Sequence, residues 1–281
     1  MRILACQIKI PAIDSREKQL AHIDNTLNKL EQQVKANPVD LIVLPELSTM
    51  EYSAENFQNI HEFSEELYGE THTRFAEFCR QHNVAVCYGM PRREGDNAYI
   101  SQVVLGRDGE YLTHYDKIHT AEYGDAAELK YFTRGNHLSV FEVDGVKAGI
   151  IICYDMRFPE LIRRLSGEFG VDVILHPVAF AQDLSFHTWK QFVVSRALEN
   201  QVYFLSVNQS GEHFGQSILC PPWVDDQVQP LIFGQDEEFQ VIDVKREVLD
   251  QVRQEIPYRR DTLEDYDVLP VRHSGNQKIE D

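Results

Sequence analysis

The chain has 281 residues, of which 43% are hydrophobic, enough to build one large α/β domain or two small ones. Its formal net charge of -18, from 45 acidic and 27 basic residues, would repel phosphate backbones and anionic lipid surfaces, so we expect neither nucleic acid nor membrane as a partner. The five cysteines form no Cys-x-x-Cys pair and no apolar run reaches the ~18 residues of a membrane span, so we predict a soluble, cytoplasmic protein without a disulfide framework or a zinc site.

Short apolar runs alternate with stretches of helical periodicity along the chain. In chain order we predict strand 2–10, helix 14–37, strand 41–44, helix 70–81, strand 84–88, strand 98–105, strand 110–115, strand 146–152, helix 161–169, strand 171–175, helix 189–200, strand 202–208, strand 240–244 and helix 245–254. No internal repeat or linker divides this series, which favours one domain over residues 1–260 followed by an acidic tail over 261–281. Parallel-type strands mixed with hairpins, and enough helices to cover the outer faces, predict an α/β fold of two mixed sheets packed together.

Local signals support several of these boundaries. Asp14 followed three residues later by Glu17 resembles a helix-capping pair, and Pro159 suits the first turn of a helix because its ring presets the backbone. The sequence Gly-Arg-Asp-Gly at 106–109 is a strong hairpin signal between two strands. By contrast, residues 120–136 show no regular pattern, and an irregular stretch of that length inside a compact domain is usually functional.

Three chemically active side chains lie at the ends of predicted strands. Glu46 follows an apolar strand, Lys117 follows a hairpin arm, and Cys153 follows a β-branched strand. The carboxyl ends of strands in open α/β sheets present reactive groups to a crevice. A thiol between a strand end and a helix start lies near backbone N–H groups and a positive dipole end, both of which favour the thiolate. Each residue alone also has an ordinary interpretation: a small buried hydrophobe for Cys153, an exposed lysine and a solvated glutamate.

The motifs around these three residues resemble those of the nitrilase superfamily, the carbon-nitrogen hydrolases. Glu46 follows Leu-Pro, Lys117 lies in Tyr-Asp-Lys-Ile-His, and Cys153 lies in Ile-Cys-Tyr-Asp-Met-Arg-Phe-Pro-Glu. Three separated motifs in the right order are far more specific than any one of them, and the similarity covers nearly the whole chain. The resemblance implies a four-layer α-β-β-α sandwich with helices on the outer faces and a Glu-Lys-Cys triad. It also places Glu128 at the position of the family's second active-site glutamate.

The resemblance implies a mechanism as well. Glu46 would take the thiol proton of Cys153 and later return one to the departing amine or ammonia. Lys117 and the backbone N–H of Tyr154 would stabilise the oxyanion, and the lysine would lower the thiol pKa from its free value of about 8.5. Glu128 would orient Lys117 or position the substrate. No step needs a metal or an organic cofactor.

Other residues near the motifs are weaker candidates. His176 follows a buried strand and Phe180 lies in the loop after it, so we predict both as substrate-pocket residues, although a structural histidine and a packing aromatic are equally ordinary. His114, His119 and His137 show no metal-ligand spacing, so we assign them surface or supporting positions and expect no metal.

The sequence Cys-Tyr-Asp-x-Arg-Phe-Pro-Glu resembles the amidase branches of the superfamily, including the omega-amidases. We therefore expect hydrolysis of a small linear amide, with a dicarboxylic acid monoamide as one candidate, to a carboxylic acid and ammonia through a Cys153 thioester. N-carbamoyl amine hydrolysis is the alternative, and a non-catalytic scaffold subunit and an acyltransferase are two further ones. The resemblance also implies a homodimer or a larger homo-oligomer.

Overall fold

The computed structural model of the chain describes residues 1–122, 127–263 and 265–272. Its strands are β1 (Arg2–Gln7), β2 (Leu41–Val43), β3 (Ala85–Glu94), β4 (Asn97–Leu105), β5 (Tyr111–Asp116), β6 (Ser139–Val143), β7 (Val146–Ile150), β8 (Val173–Pro177), β9 (Tyr203–Val207), β10 (Ile218–Cys220), β11 (Leu231–Ile232) and β12 (Glu238–Asp243). Its helices are α1 (Arg16–Ala36), α2 (Ala54–Gln58), α3 (Ile60–Phe63), α4 (Glu70–His82), α5 (Glu128–Tyr131), α6 (Pro159–Gly167), α7 (Trp189–Asn200), α8 (Arg246–Glu255) and α9 (Tyr258–Asp261). Among these residues, no helix is both long and apolar enough to cross a membrane.

The strands form two six-stranded sheets with the same plan. The first has the order β12-β1-β2-β3-β4-β5, and the second has the order β11-β10-β9-β8-β7-β6. In each sheet a parallel centre, β1-β2-β3 or β7-β8-β9, is flanked by antiparallel strands. Both sheets are therefore mixed, as the combination of parallel-type strands and hairpins predicts.

The alternation of side chains across each sheet produces the layers. Ile3 packs in the core between the two sheets, whereas its neighbour Leu4 packs with residues of α1 and α4. In the second sheet, Leu175 faces the central core and Ile174 packs with residues of α6 and α7. Successive residues of a strand point to opposite faces, so each sheet is covered on both sides. This arrangement confirms the predicted four-layer α-β-β-α sandwich.

Helix and turn signals are mostly confirmed, with one difference at the start of α1. Ser15 is the N-cap, and its hydroxyl accepts a hydrogen bond of 3.3 Å from the N–H of Lys18. The predicted Asp14 cap is therefore wrong, because Asp14 instead forms an ion pair of 2.6 Å with the ammonium of Lys18. Pro159 does open α6, and the turn at 106–109 does join β4 to β5.

The sequence patterns missed several short elements. These are α2, α3, α5, α9, β6, β10 and β11. The irregular stretch 120–136 contains α5, while residues 123–126 lie outside the described part of the chain. The predicted acidic tail begins where α9 ends, and its residues 264 and 273–281 also lie outside the described part. The domain boundary at 260 stays a prediction.

Candidate active site

The candidate catalytic side chains come from the carboxyl ends of strands in both sheets. Glu46 follows β2, Lys117 follows β5, and Cys153 follows β7. Two antiparallel steps separate β3 from β5, so β2, β3 and β5 run in the same direction and end at the same edge of the first sheet. Glu128 reaches the same place from the first residue of α5. The sandwich therefore brings together residues that lie far apart in the sequence.

Lys117 lies between the two glutamates. Its Nζ is 2.8 Å from Oε1 of Glu46 and 2.7 Å from Oε1 of Glu128, and all three side chains are 0% exposed. Burial by itself lowers the pKa of Lys117, but the carboxylates of Glu128 and Glu46 outweigh burial and raise that pKa well above its ordinary value. The site thus contains an ammonium whose charged form is favoured and whose position is fixed by two acids.

Glu46 is held from three sides. Its Oε1 accepts from Lys117, its Oε2 accepts from the backbone N–H of Ala179 at 2.8 Å, and its backbone carbonyl accepts from the side-chain amide of Gln209 at 3.2 Å. Burial raises the pKa of Glu46, the charge of Lys117 lowers it and the charge of Glu128 raises it, with a net increase. A carboxyl group with a raised pKa accepts a thiol proton more readily than an ordinary one.

Cys153 begins a 3-10 turn over Cys153–Arg157, called here the nucleophile turn, and has an unusual positive φ of 45°. Burial raises the pKa of its thiol well above the ordinary value, the charge of Glu46 raises it further, and Lys117 lowers it. Lys117 thus lowers the thiol pKa, as expected, but burial and Glu46 outweigh it, and the net pKa is raised. A thiol with a raised pKa needs a base to take its proton.

Asp155 ties the nucleophile turn to the Tyr-Asp-Lys-Ile-His motif. Its carboxylate accepts from the hydroxyl of Tyr115 at 2.8 Å, from the backbone N–H of His119 at 2.8 Å and from the backbone N–H of Ile152 at 3.1 Å. The Nδ1 of His119 also lies 2.8 Å from the same carboxylate. These contacts fix the position of the sulfur relative to the lysine, because they join the segments that carry them.

His176 supports the nucleophile turn from behind. Its Nε2 lies 2.9 Å from the backbone carbonyl of Cys153, so this nitrogen carries a proton and donates it. Its Nδ1 accepts from the hydroxyl of Ser206, which in turn accepts from the indole N–H of Trp189. Burial lowers the pKa of His176 to about 4, so the ring is neutral. Both ring nitrogens are occupied, and His176 is a support for the backbone instead of the substrate contact that we predicted.

A cavity of about 350 Å³ opens above these residues. Phe180 lies in its wall, as predicted, and Asn208 fixes Phe180 by accepting from its backbone N–H at 2.9 Å and donating to its carbonyl at 3.0 Å. Tyr154, the second residue of the nucleophile turn, packs edge to face on Phe158, and the oxyanion role of its backbone N–H stays a prediction. The cavity is lined by Tyr52, Ser53, Ala54, Phe57, Ala121, Glu128, Cys153, Ala179, Phe180, Ala181, Asp183, Ser185 and Phe214.

Sequence reasoning missed the groups that hold the two glutamates. Glu128 accepts from the hydroxyl of Tyr52 at 2.5 Å and from the backbone N–H of Ala121 at 2.7 Å. The N–H of Ala179 and the amide of Gln209 do the same for Glu46. The two backbone donors leave no mark on a sequence, and the side chains of Tyr52 and Gln209 lie far along the chain from the glutamates they contact, so only the fold could reveal them.

A possible metal-ligand group lies outside this cavity. One ligand atom from each of His114, Asp116 and His137 falls within 4.8 Å of the others. However, Asp116 already accepts from Nη2 of Arg92 at 2.7 Å and from Nε of Arg92 at 3.1 Å, and it also accepts from the hydroxyl of Ser101. The guanidinium neutralises the carboxylate and would repel a second cation, so the group is better explained as a buried ion pair.

Comparisons with known proteins agree with this geometry. A model of the carbon-nitrogen hydrolase family matches residues 2–254. The Omega-amidase NIT2 of Xenopus tropicalis is 26% identical over 253 residues, which cover 86% of this chain and 89% of that protein. The 2-oxoglutaramate amidase of Bacillus subtilis (strain 168) is 30% identical over 190 residues, which cover 66% of this chain and 71% of that protein.

Among solved structures, Nit3 of Saccharomyces cerevisiae, a member of branch 10 of the nitrilase superfamily, has the same fold. The superposition has a TM-score of 0.78 at 22% identity and covers 96% of this chain and 97% of that one. The family match spans both sheets and every residue of the candidate site. The chain therefore belongs to the carbon-nitrogen hydrolase family.

Proposed function

We propose that the chain hydrolyses small linear amides to a carboxylic acid and ammonia through a thioester on Cys153. The observation that carries the proposal is the buried ammonium of Lys117, bonded to both Glu46 and Glu128 beside a thiol that lines a cavity. An amide carbonyl is a poor electrophile, so attack on it needs a nucleophile, a base and a positive charge at the oxygen. The names of the omega-amidase and 2-oxoglutaramate amidase relatives support an amide substrate.

The first half-reaction forms the thioester. Glu46 takes the proton of the Cys153 thiol as the sulfur attacks the carbonyl carbon, and the carbonyl oxygen becomes an oxyanion. An ammonium has three N–H donors, and Lys117 directs two of them to Glu46 and Glu128, which leaves the third for the oxyanion. The backbone N–H of Tyr154 is the second proposed donor. Glu46 then gives the proton to the nitrogen, the C–N bond breaks and ammonia leaves.

The second half-reaction hydrolyses the thioester. Glu46 takes a proton from a water molecule as its oxygen attacks the thioester carbon, and Lys117 again faces the oxyanion. The C–S bond then breaks, the acid is released, and the sulfur regains its proton from Glu46. In both halves the proton moves between groups of one buried cluster, so the net charge of the cluster stays constant. This avoids burying an additional charge, which is the costly step in a closed site.

The cavity suits a small acyl group. Its wall contains four alanines and the rings of Phe57, Phe180 and Phe214, and its volume of about 350 Å³ is at the lower end of ligand sites. We include dicarboxylic acid monoamides among the substrates, since two relatives bear names of that class. Arg157 is a cation beside this wall, 5.9 Å from the ring centroid of Phe180, with its Nη1 donating to Thr188 at 3.2 Å.

We also propose a homodimer or larger homo-oligomer in the cytoplasm. Apolar side chains on the edge strand β11 support self-association, since Leu231 is 42% exposed and Ile232 is 40% exposed. All five cysteines are free thiols, which suits a reducing compartment. Light scattering of the purified protein measures the subunit number directly, and a monomer at micromolar concentration would refute the assembly.

The experiment that tests the activity is a substrate panel. Butanamide, its carboxylated counterpart succinamate and an N-carbamoyl amine are each incubated with the protein, and ammonia and carbon dioxide are measured in parallel. We expect ammonia from the amides, an acyl adduct on Cys153 by intact-protein mass, and loss of both in Cys153→Ala. Cys79→Ala, which removes a buried thiol from α4, is the matched control and should retain activity.

Other outcomes would change the assignment. Carbon dioxide released from the carbamoyl compound, with no turnover of amides, would replace the amidase by an N-carbamoyl amine hydrolase. New amide or hydroxamate products on addition of hydroxylamine would indicate acyl transfer. Equal activity in wild type and Cys153→Ala would remove the thiol from the mechanism, and a wild type without any adduct or product would leave a non-catalytic subunit.

A further inference from the structure

The two glutamates that share Lys117 have different hydrogen-bond partners. The carboxylate of Glu46 accepts from two donors, Lys117 and the backbone N–H of Ala179. The carboxylate of Glu128 accepts from three: Lys117 at 2.7 Å, the backbone N–H of Ala121 at 2.7 Å and the hydroxyl of Tyr52 at 2.5 Å. Each donor favours the charged form of the acid that accepts it. The phenol of Tyr52 therefore makes the two acids unequal.

The hydroxyl of Tyr52 is suited to remain a donor. Burial raises the pKa of Tyr52 well above its ordinary value, and the charge of Glu128 raises it further, so the phenol keeps its proton. Its ring packs edge to face on Phe57, with 4.8 Å between ring centroids, and this contact fixes the direction of the hydroxyl. The proposed mechanism assigns no role to the hydroxyl of Tyr52 or to the ring of Phe57.

We propose that Tyr52 is a positioning residue that keeps Glu128 as a carboxylate and thereby directs the thiol proton of Cys153 to Glu46. The cluster contains one ammonium and two carboxyl groups, so a proton has two acids on which it can reside. In the proposed mechanism Glu46 protonates the leaving nitrogen, so a proton held on Glu128 would not reach that nitrogen. The hydrogen bond from Tyr52 removes this ambiguity. The inference rests on the proposed thiol chemistry and adds to it the selection of the acid.

The test measures the thiol directly and needs no substrate. The rate at which iodoacetamide alkylates Cys153 is followed by intact-protein mass from pH 5 to 10, in wild type and in Tyr52→Phe. The titratable groups that act on this thiol are Glu46, Lys117 and Glu128, and those that act on Tyr52 are Glu128, Glu46 and Cys153 itself. Without the phenol, the thiol proton moves more readily to Glu128, which also removes the Glu128 charge that raises the thiol pKa. We expect the midpoint of alkylation to fall by about one pH unit, the size of one hydrogen bond to a charged group.

Two variants separate this role from simple packing. Tyr88→Phe removes another buried phenol, whose hydroxyl has no hydrogen-bond partner among the described residues, and should leave the midpoint unchanged. Glu128→Gln removes the charge on which Tyr52 acts, so adding Tyr52→Phe to that variant should cause no further shift. An unchanged midpoint in Tyr52→Phe, or an equal shift in the presence of Glu128→Gln, would overturn the proposal.

Turnover provides a second readout. Once a substrate is found, we expect kcat/KM of Tyr52→Phe to fall about 10-fold to 100-fold at neutral pH, with the acid limb of its pH profile moved to higher pH. A loss of the same factor at every pH, with an unmoved acid limb, would show a packing role and refute the proposal. Failure of the proposed activity is distinguishable, since wild type would then produce no ammonia while the alkylation midpoints could still be compared.

Discussion

Replacing Lys117 by methionine tests whether the buried ion cluster is held together by a single cation. The substitution keeps an unbranched apolar stem as far as Cε but removes the ammonium that lies 2.8 Å from Glu46 and 2.7 Å from Glu128. Two carboxylates would then face each other in a site where all three side chains are 0% exposed. Breaking a buried ion pair in this way typically costs about 3–5 kcal/mol, because an uncompensated charge stays behind.

The cost should depend on pH in a defined direction. Burial already raises the pKa of Glu46, and the charge of Lys117 is what opposes this increase. Without the lysine, the pKa of Glu46 in the folded variant rises further above its unfolded value of about 4.3. A folded state that binds more protons than the unfolded state loses stability as pH rises. The deficit of Lys117→Met relative to wild type should therefore be small at pH 5 and approach its full size at pH 8.

The assay is urea unfolding followed by circular dichroism at pH 5, 6.5 and 8, with thermal melts at the same pH values. For a chain of this size a loss of about 3–5 kcal/mol corresponds to a fall in Tm of about 10 °C. Adding Glu46→Gln and Glu128→Gln to Lys117→Met removes the uncompensated charges and should restore at least half of the loss at pH 8. A deficit below about 1 kcal/mol, one that is equal at all three pH values, or a triple variant without recovery would refute the electrostatic account.

Three further predictions concern the supports of the site. Asp155→Asn weakens the bonds to Tyr115 and His119, so kcat/KM and the rate of Cys153 alkylation should both fall by about 10-fold to 100-fold. Gly135→Ala would place a Cβ 2.0 Å from the backbone oxygen of Asp116, next to Lys117, and should lower kcat at least about tenfold. Because burial lowers the pKa of His176 to about 4, wild type should lose about 3 kcal/mol of stability between pH 6.5 and 4 that His176→Gln does not lose.

Each of these three predictions has a control variant or a result that would contradict it. Gly167→Ala, at a helical glycine with nothing within 4 Å of the added Cβ, should leave activity unchanged and raise the free energy of unfolding slightly. An active Gly135→Ala enzyme would show that the backbone before Lys117 is not critical. For His176, parallel pH dependence of wild type and variant would mean that the ring is not the group that titrates. For Asp155, unchanged alkylation would separate the carboxylate from the position of the sulfur.

The layered fold was accessible from the sequence because hydrophobic periodicity follows burial directly. The strand at Leu41–Val43 is covered on both faces and reads as a continuous apolar run. The strand β6 was missed although its turn is marked: Asp144 and Gly145 have positive φ values of 49° and 71°, the geometry of a two-residue hairpin turn. The two residues of β11 carry no readable pattern, and they are a strand only because β10 pairs with them.

The identities of the four central side chains came from motifs in the sequence, whereas their electrostatics came from the fold. Glu46, Lys117, Glu128 and Cys153 could be named from their positions after strands and from family resemblance. That the thiol pKa is raised at rest depends on the balance between burial, Glu46 and Lys117, and no local pattern contains that balance.

What the sequence alone determined is therefore the order of the longer strands and helices, the layers they form and the residues that end the key strands. These properties depend on neighbours within a few positions along the chain. Tertiary structure alone decided that Tyr52 bonds to Glu128, that the N–H of Ala179 bonds to Glu46 and that His176 supports the backbone of Cys153. These contacts join segments from 23 to 133 positions apart. The bond from Ala179 to Glu46 joins the two sheets, and the bond between His176 and Cys153 joins β8 to the turn after its neighbour β7, so such bonds arise only when the chain folds.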